Sequence, residues 1–160
     1  MKRLFVFSLL AVAVLVPQLT ADGWIRTYGG IGDDAGFWVE QTPDGGYIIA
    51  GRFMQDWFNF YLIKTDSLGD TLWTRTYMRT PPSMLHPPAE ARCVQQTSDG
   101  GYIIAGRSGV DLVVIKTDEH GDSLWGRNVC VVRPGGICVR ETSDGGYLVS
   151  GGEYAFFLIK

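Results

Sequence analysis

Two histidines, three cysteines and a recurring set of aspartates are the residues in this chain from which chemistry would be built. His86 sits in the run Pro81-Pro82-Ser83-Met84-Leu85-His86-Pro87-Pro88, and His120 in Asp118-Glu119-His120-Gly121-Asp122. Neither has a second ligand at metal-binding spacing or a nucleophile to activate, so both read as exposed loop residues. The aspartates (Asp33, Asp34, Asp44, Asp66, Asp70, Asp99, Asp118, Asp122, Asp144) offer oxygen ligands to calcium. None lies in an EF-hand-type loop of spaced acidic residues closed by glutamate. Aspartate in a hairpin turn bonds its own backbone and needs no metal, so no cofactor is expected. Gly29-Gly30-Ile31-Gly32 has the glycines of a phosphate loop but no helix behind it to supply a dipole. Glycoside cleavage would need two carboxylates about 5–10 Å apart. Glu40 and Glu90 are the acidic pair whose convergence would point to it.

Those residues are carried by a repeated phrase. Gln41 to Gly51 reads QTPDGGYIIAG, Gln96 to Gly106 reads QTSDGGYIIAG, and Glu141 to Gly151 reads ETSDGGYLVSG. A second phrase travels with it: Tyr61 to Asp66 (YLIKTD), Val113 to Asp118 (VVIKTD) and Phe157 to Lys160 (FLIK). A third is Trp24 to Tyr28 (WIRTY), Trp73 to Tyr77 (WTRTY) and Trp125 to Val129 (WGRNV). The tryptophans are 49 and 52 residues apart, a period that marks a propeller or array.

Each unit decomposes into short strands. Pro43-Asp44-Gly45-Gly46, with its copies at Asp99-Gly100 and Asp144-Gly145, has the chemistry of a type I turn closed by a glycine bulge, joining two antiparallel strands. Phe60 to Thr65 predicts a third strand, continuous and apolar as expected where both faces are covered. Trp73, Arg75 and Tyr77 alternate with threonines on a fourth, and their shared face is expected to pack between units with Arg over an aromatic ring. Outside the leader no segment has a helical period. The fold expected is all-β: about three four-stranded antiparallel blades of a β-propeller-like array.

Residues 1–21 read as a signal peptide: Lys2 and Arg3, an apolar run from Leu4 to Val16, then Pro17 and Ala21. That run is shorter than the roughly 20 residues needed to cross a bilayer, so the domain at 22–160 is expected to be exported without a membrane span. The formal charge of −3, with scattered basic residues, argues against a nucleic-acid partner. The domain opens on a fourth-type strand able to complete the last blade. Lys160 falls inside a phrase that continues with Thr-Asp elsewhere, so the chain is expected to be a piece of a larger propeller. A six-bladed ring of two copies, self-associating through incomplete edges, and an open array are the alternatives.

Cys93 and Cys138 occupy equivalent places in neighbouring units, where the first unit has Trp38. Cys130 and Cys138 flank Pro134-Gly135-Gly136, which leaves open a bridge between them or three buried thiols. The combination of these phrases resembles a repeat common in secreted bacterial and archaeal proteins that look like β-propellers and often end in a type IX secretion sorting domain. It spans residues 24–160, departing in the third copy at Asn128-Val129 and Ser150. The resemblance implies an extracytoplasmic propeller of non-catalytic role and carries over no catalytic residues.

Binding is expected in the loops after the fourth strands, where repeat proteins collect their variation. These loops have nine residues between Tyr28 and Trp38, eight between Val129 and Cys138, and fifteen between Tyr77 and Cys93. The longest nominates Tyr77, Pro82, Met84, His86 and Pro88 for a carbohydrate or protein ligand. A glycan lyase or hydrolase on the same frame is the alternative.

Overall fold

A computed structural model of the chain describes residues 23–54, 58–77, 89–129, 135–152 and 157–160, with residues 58 and 157–159 described by backbone alone. Residues 1–21, read from sequence as a signal peptide, and Pro82, Met84, His86, Pro88 and Cys130 lie outside the described residues. No helix among the described residues is long and apolar enough to cross a membrane.

The fold is all-β. The first sheet is β1 (Ala35–Gln41), β2 (Tyr47–Met54), β3 (Phe58–Thr65) and β4 (Thr71–Tyr77), paired in chain order and antiparallel. The second repeats it with β5 (Ala89–Gln96), β6 (Tyr102–Ser108), β7 (Asp111–Thr117) and β8 (Ser123–Val129). The third has three strands, β9 (Cys138–Glu141), β10 (Tyr147–Gly151) and β11 (Phe157–Ile159). Register is conserved between units: Trp38 faces Ala50, Cys93 faces Ala105 and Cys138 faces Ser150. A bulge follows Gly36 in β1 and recurs after Ala91 in β5, re-aiming the start of each inner strand.

The turns form as their residues dictate. Thr42 N–H donates to Gly46 O at 2.9 Å and Gly45 N–H to Thr42 O at 2.8 Å, with Gly45 at φ 83°. The two glycines of this turn differ in cause. Gly45 supplies the left-handed backbone that L-residues avoid. A Cβ on Gly46 would lie 2.1 Å from Thr65 O, so that position is bare because a neighbouring strand passes too close. The same ladder closes the turn from Asp66 to Asp70, so the β1–β2 and β3–β4 hairpins share one geometry.

The second sheet lies between the other two, packing on the first chiefly through β5 and on the third through β5 and β6. Ile48, Ala50, Leu62, Val94, Ile104 and Phe60 fill the first interface; Ile103, Leu112, Val114, Val139 and Val149 fill the second. Fully burying each such Val, Leu, Ile or Phe side chain is worth about 1.5–3 kcal/mol, and a lone four-stranded sheet could not do it on both faces.

The Trp-x-Arg-x-Tyr strand β4 closes the first interface from outside. Trp73 meets Tyr102 edge-on at 5.7 Å, Arg75 Nε donates to Asp122 Oδ1 at 3.0 Å, and Tyr77 Oη donates to Gly121 O at 2.8 Å. Arg75 also lies over its own Trp73 ring at 5.6 Å. Trp24, Arg26 and Tyr28 make the equivalent contacts on the first sheet, to Tyr47 (5.8 Å), Asp70 (3.1 Å) and Gly69 O (2.7 Å). Trp125 repeats the ring contact with Tyr147 at 5.8 Å. Residues 23–30 thus lie on the first sheet as β4 lies on the second, but they pair with no strand among the described residues. Among the described residues the third sheet keeps three strands, and this segment does not complete it.

Candidate functional site

The repeated aspartates of the glycine turns are structural. Asp44 Oδ1 accepts from Thr42 Oγ1 at 2.6 Å and from Gly46 N–H at 2.9 Å, and Lys64 Nζ donates to Asp44 Oδ2 at 2.8 Å. Asp99 repeats this with Thr97, Gly101 and Lys116 at 2.6, 3.0 and 3.0 Å. Asp144 does so with Thr142, Gly146 and Lys160. The lysine of each Ile-Lys phrase therefore reaches back to the preceding turn, and Lys64 and Lys116 are buried in doing so. The Lys64 ammonium, helped by the Thr42 hydroxyl, lowers Asp44 to about 2. The Thr97 hydroxyl, with Lys116, lowers Asp99 to about 2. Asp144 is lowered in the same way, chiefly by Lys160. Asp66 and Asp118 cap the other turn, each accepting two backbone N–H groups at 2.8–2.9 Å.

A different polar cluster breaks the repeat. Glu90, at the start of β5, stands where the first unit has Ala35, and its side chain is 2% exposed. Its Oε1 accepts from Arg92 Nε at 2.8 Å, from Arg92 Nη2 and from Arg107 Nε. Its Oε2 lies 3.6 Å from Arg52 Nη1 of the first sheet, and Arg52 Nη2 donates to Asp33 Oδ2 at 2.9 Å. The Arg92 guanidinium also covers the Phe37 ring at 4.2 Å. Three cations thus share two carboxylates, and Arg92 and Arg107 remain 37% and 44% exposed. The buried carboxylate ties Arg92 and Arg107 of the second sheet to Arg52 of the first through charge-assisted contacts.

Register fixes where this cluster lies. It belongs to the end at which first strands begin and second strands finish, the end from which the fourth-to-first connections emerge. The glycine turns belong to the opposite end. Glu40 corresponds to Gln95, five residues from Glu90 along the inner strand, a rise of about 15 Å at strand spacing. Glu40 and Glu90 do not converge, and Glu90 is already committed to arginines.

Of the residues nominated from sequence, Tyr77 is an inter-sheet latch whose hydroxyl burial raises its pKa. It also lines a cleft of about 390 Å³ with Phe60, Val113, Arg127 and Asn128. His120 is exposed, its Nε2 lying 3.5 Å from Glu119 Oε1. Asp44, Gly45, Asp99, Gly100, Asp144 and Gly145 occupy the turns assigned to them. Among the described residues no group of three His, Cys, Asp or Glu side chains is placed to hold a metal ion. Cys138 lies beside Cys93, its Sγ 3.6 Å from that of Cys93. Sequence reading missed the arginine cluster, because its members come from three strands of two units. The visible signal was Glu90, the acidic residue where the other copies carry small ones.

A larger cleft of about 610 Å³ is lined by Trp24, Tyr28, Phe37, Trp38, Tyr47 and Ile49. Trp24 and Tyr28 of the segment 23–30 form one wall of it, against β1 and β2 of the first sheet. The chain matches no protein-family model and no curated protein.

Proposed function

We propose that this chain is an exported, non-catalytic repeat module, part of a propeller-type ring, that binds a ligand at its arginine-bearing end. The leader-like residues 1–21 support export, and the shared unit geometry with inter-sheet latches supports ring assembly. One observation carries the binding reading. The recurrent polar residues are engaged in turns and latches, whereas Arg92, Arg107 and Phe37 are non-repeated or half-exposed groups at the end bearing the longest variable connection. Three guanidinium groups against two carboxylates leave an excess of positive charge, and forked donors beside an aromatic ring suit a carboxylate-bearing glycan.

A glycan array containing neutral and uronate-bearing oligosaccharides, read alongside product analysis of the same sugars, tests this. Binding to uronates that weakens about tenfold in Arg92→Ala, without cleavage, is the expected result. Release of shorter sugars would instead make the protein a glycan-active enzyme. Retention of an acidic protein partner, with no glycan bound, would move the ligand class to protein.

A further inference from the structure

We propose that Cys93 and Cys138 are a dithiol pair that closes into a disulfide between the second and third sheets by exchange with a disulfide oxidant. The pair arises from the repeat. Both residues hold the same place on the inner strands β5 and β9, opposite Ala105 and Ser150, and these strands pack against each other. In the first unit that place belongs to Trp38, over which Arg140 lies at 5.3 Å.

The two sulfurs are in van der Waals contact at 3.6 Å. The backbone of β9 aims Cys93 at its partner: Val139 N–H donates to Cys93 Sγ at 3.3 Å, and Val139 O lies 3.8 Å away. A bond of about 2.0 Å needs the sulfurs to approach by roughly 1.6 Å, within reach of small side-chain rotations shared by two residues. Their exposure differs in a useful way. Cys93 is fully buried, whereas Cys138 is only partly buried. Burial pushes the Cys93 thiol up to about 11, although the Arg140 guanidinium, 3.7 Å away, opposes this. The first attack therefore belongs to Cys138.

The chemistry balances with an organic disulfide, RS–SR, as oxidant. The Cys138 thiolate attacks one sulfur, forming a mixed disulfide and expelling RS⁻. Cys93 then loses its proton and attacks Cys138 Sγ, breaking the mixed bond and expelling a second RS⁻. The two cysteine protons end on the two RSH products, and the cysteine pair is oxidised as the reagent is reduced. Export into an oxidising compartment would supply such a partner, but the reactivity belongs to the geometry and does not rest on the ligand-binding reading.

The test uses purified full-length Cys130→Ser protein and the wild type, each incubated folded with oxidised glutathione, alkylated, digested and mapped by mass spectrometry. The expected result is loss of two alkylatable thiols, a bridged Cys93–Cys138 peptide in both proteins, reversal by dithiothreitol, and a urea midpoint no lower than that of the reduced form. Two alkylatable thiols persisting in Cys130→Ser, or a glutathione adduct at Cys138 that never resolves, would overturn the proposal. So would a wild-type map dominated by Cys130–Cys138, or a bridged form that is less stable than the reduced one.

Discussion

Neutralising Asp99 should destabilise the protein more than neutralising the lysine it binds, and removing both charges should recover part of the loss. The asymmetry follows from exposure: Lys116 is 3% exposed, while Asp99 is 59% exposed. In Lys116→Met the stem still packs, Asp99 rehydrates, and the loss is the pair of charged hydrogen bonds to Asp99 and Thr117 O. That costs about 1–1.5 kcal/mol. In Asp99→Asn the side-chain oxygen still accepts from Thr97 and Gly101, but the ammonium stays buried facing an amide. Removing one partner of a fully buried pair costs about 3–5 kcal/mol, and the exposure of Asp99 reduces this to about 2–3. The double variant should cost about 1.5 kcal/mol, making it more stable than Asp99→Asn alone. Urea unfolding reads this directly, since 2–3 kcal/mol moves the midpoint by about 1–2 M. Additive losses in the double variant, or a larger loss in Lys116→Met, would refute the reasoning.

Glu90→Gln, which leaves three guanidinium groups around a neutral buried side chain, should cost about 2–4 kcal/mol, visible as a lowered urea midpoint. Gly101→Ala should be worse than Gly100→Ala in a thermal melt. The first places a Cβ 2.2 Å from Thr117 O, whereas the second only forces alanine to φ +86°, a cost of about 1–2 kcal/mol. Tyr77→Phe loses one inter-sheet hydrogen bond and should lower stability by about 1 kcal/mol, leaving Gly121 O without that donor. Asp44 and Asp99 titrate near 2 when folded against an ordinary 3.8, so their contribution is complete above pH 4 and disappears as pH falls toward 2. Wild-type urea midpoints should fall through that window, and a Lys64→Met/Lys116→Met variant should fall less; parallel curves would contradict the assignment.

What the sequence disclosed was local and periodic. The glycine turns, the apolar third strand and the alternation of Trp73, Arg75 and Tyr77 depend on neighbours two to five residues apart, so residue type and spacing sufficed. Contacts across sheets were another matter. Lys64 and Lys116 stand within apolar phrases, and only the fold shows each reaching the aspartate of the preceding turn. Gly46 reads as a turn residue, although the approach of Thr65 O is what keeps it bare. Chain proximity left open a bridge between Cys130 and Cys138, and gave no hint that stacking of equivalent strands brings Cys93 to Cys138 from 45 residues away. Glu90 drew notice as a non-repeated acid, but its role depends on Arg52 from another sheet.

The stacking of successive sheets through the Trp-x-Arg-x-Tyr strand can be measured by proton NOEs in an isotope-labelled sample. Cross-peaks are expected from the Trp73 indole to the Tyr102 ring and to the α-protons of Gly121, a residue so close to that indole that an added Cβ would lie 2.9 Å from it. The parallel set runs from Trp24 to Tyr47 and Gly69. Strong NOEs within each sheet, with none from either tryptophan to these partners, would mean that the sheets form but do not stack as described.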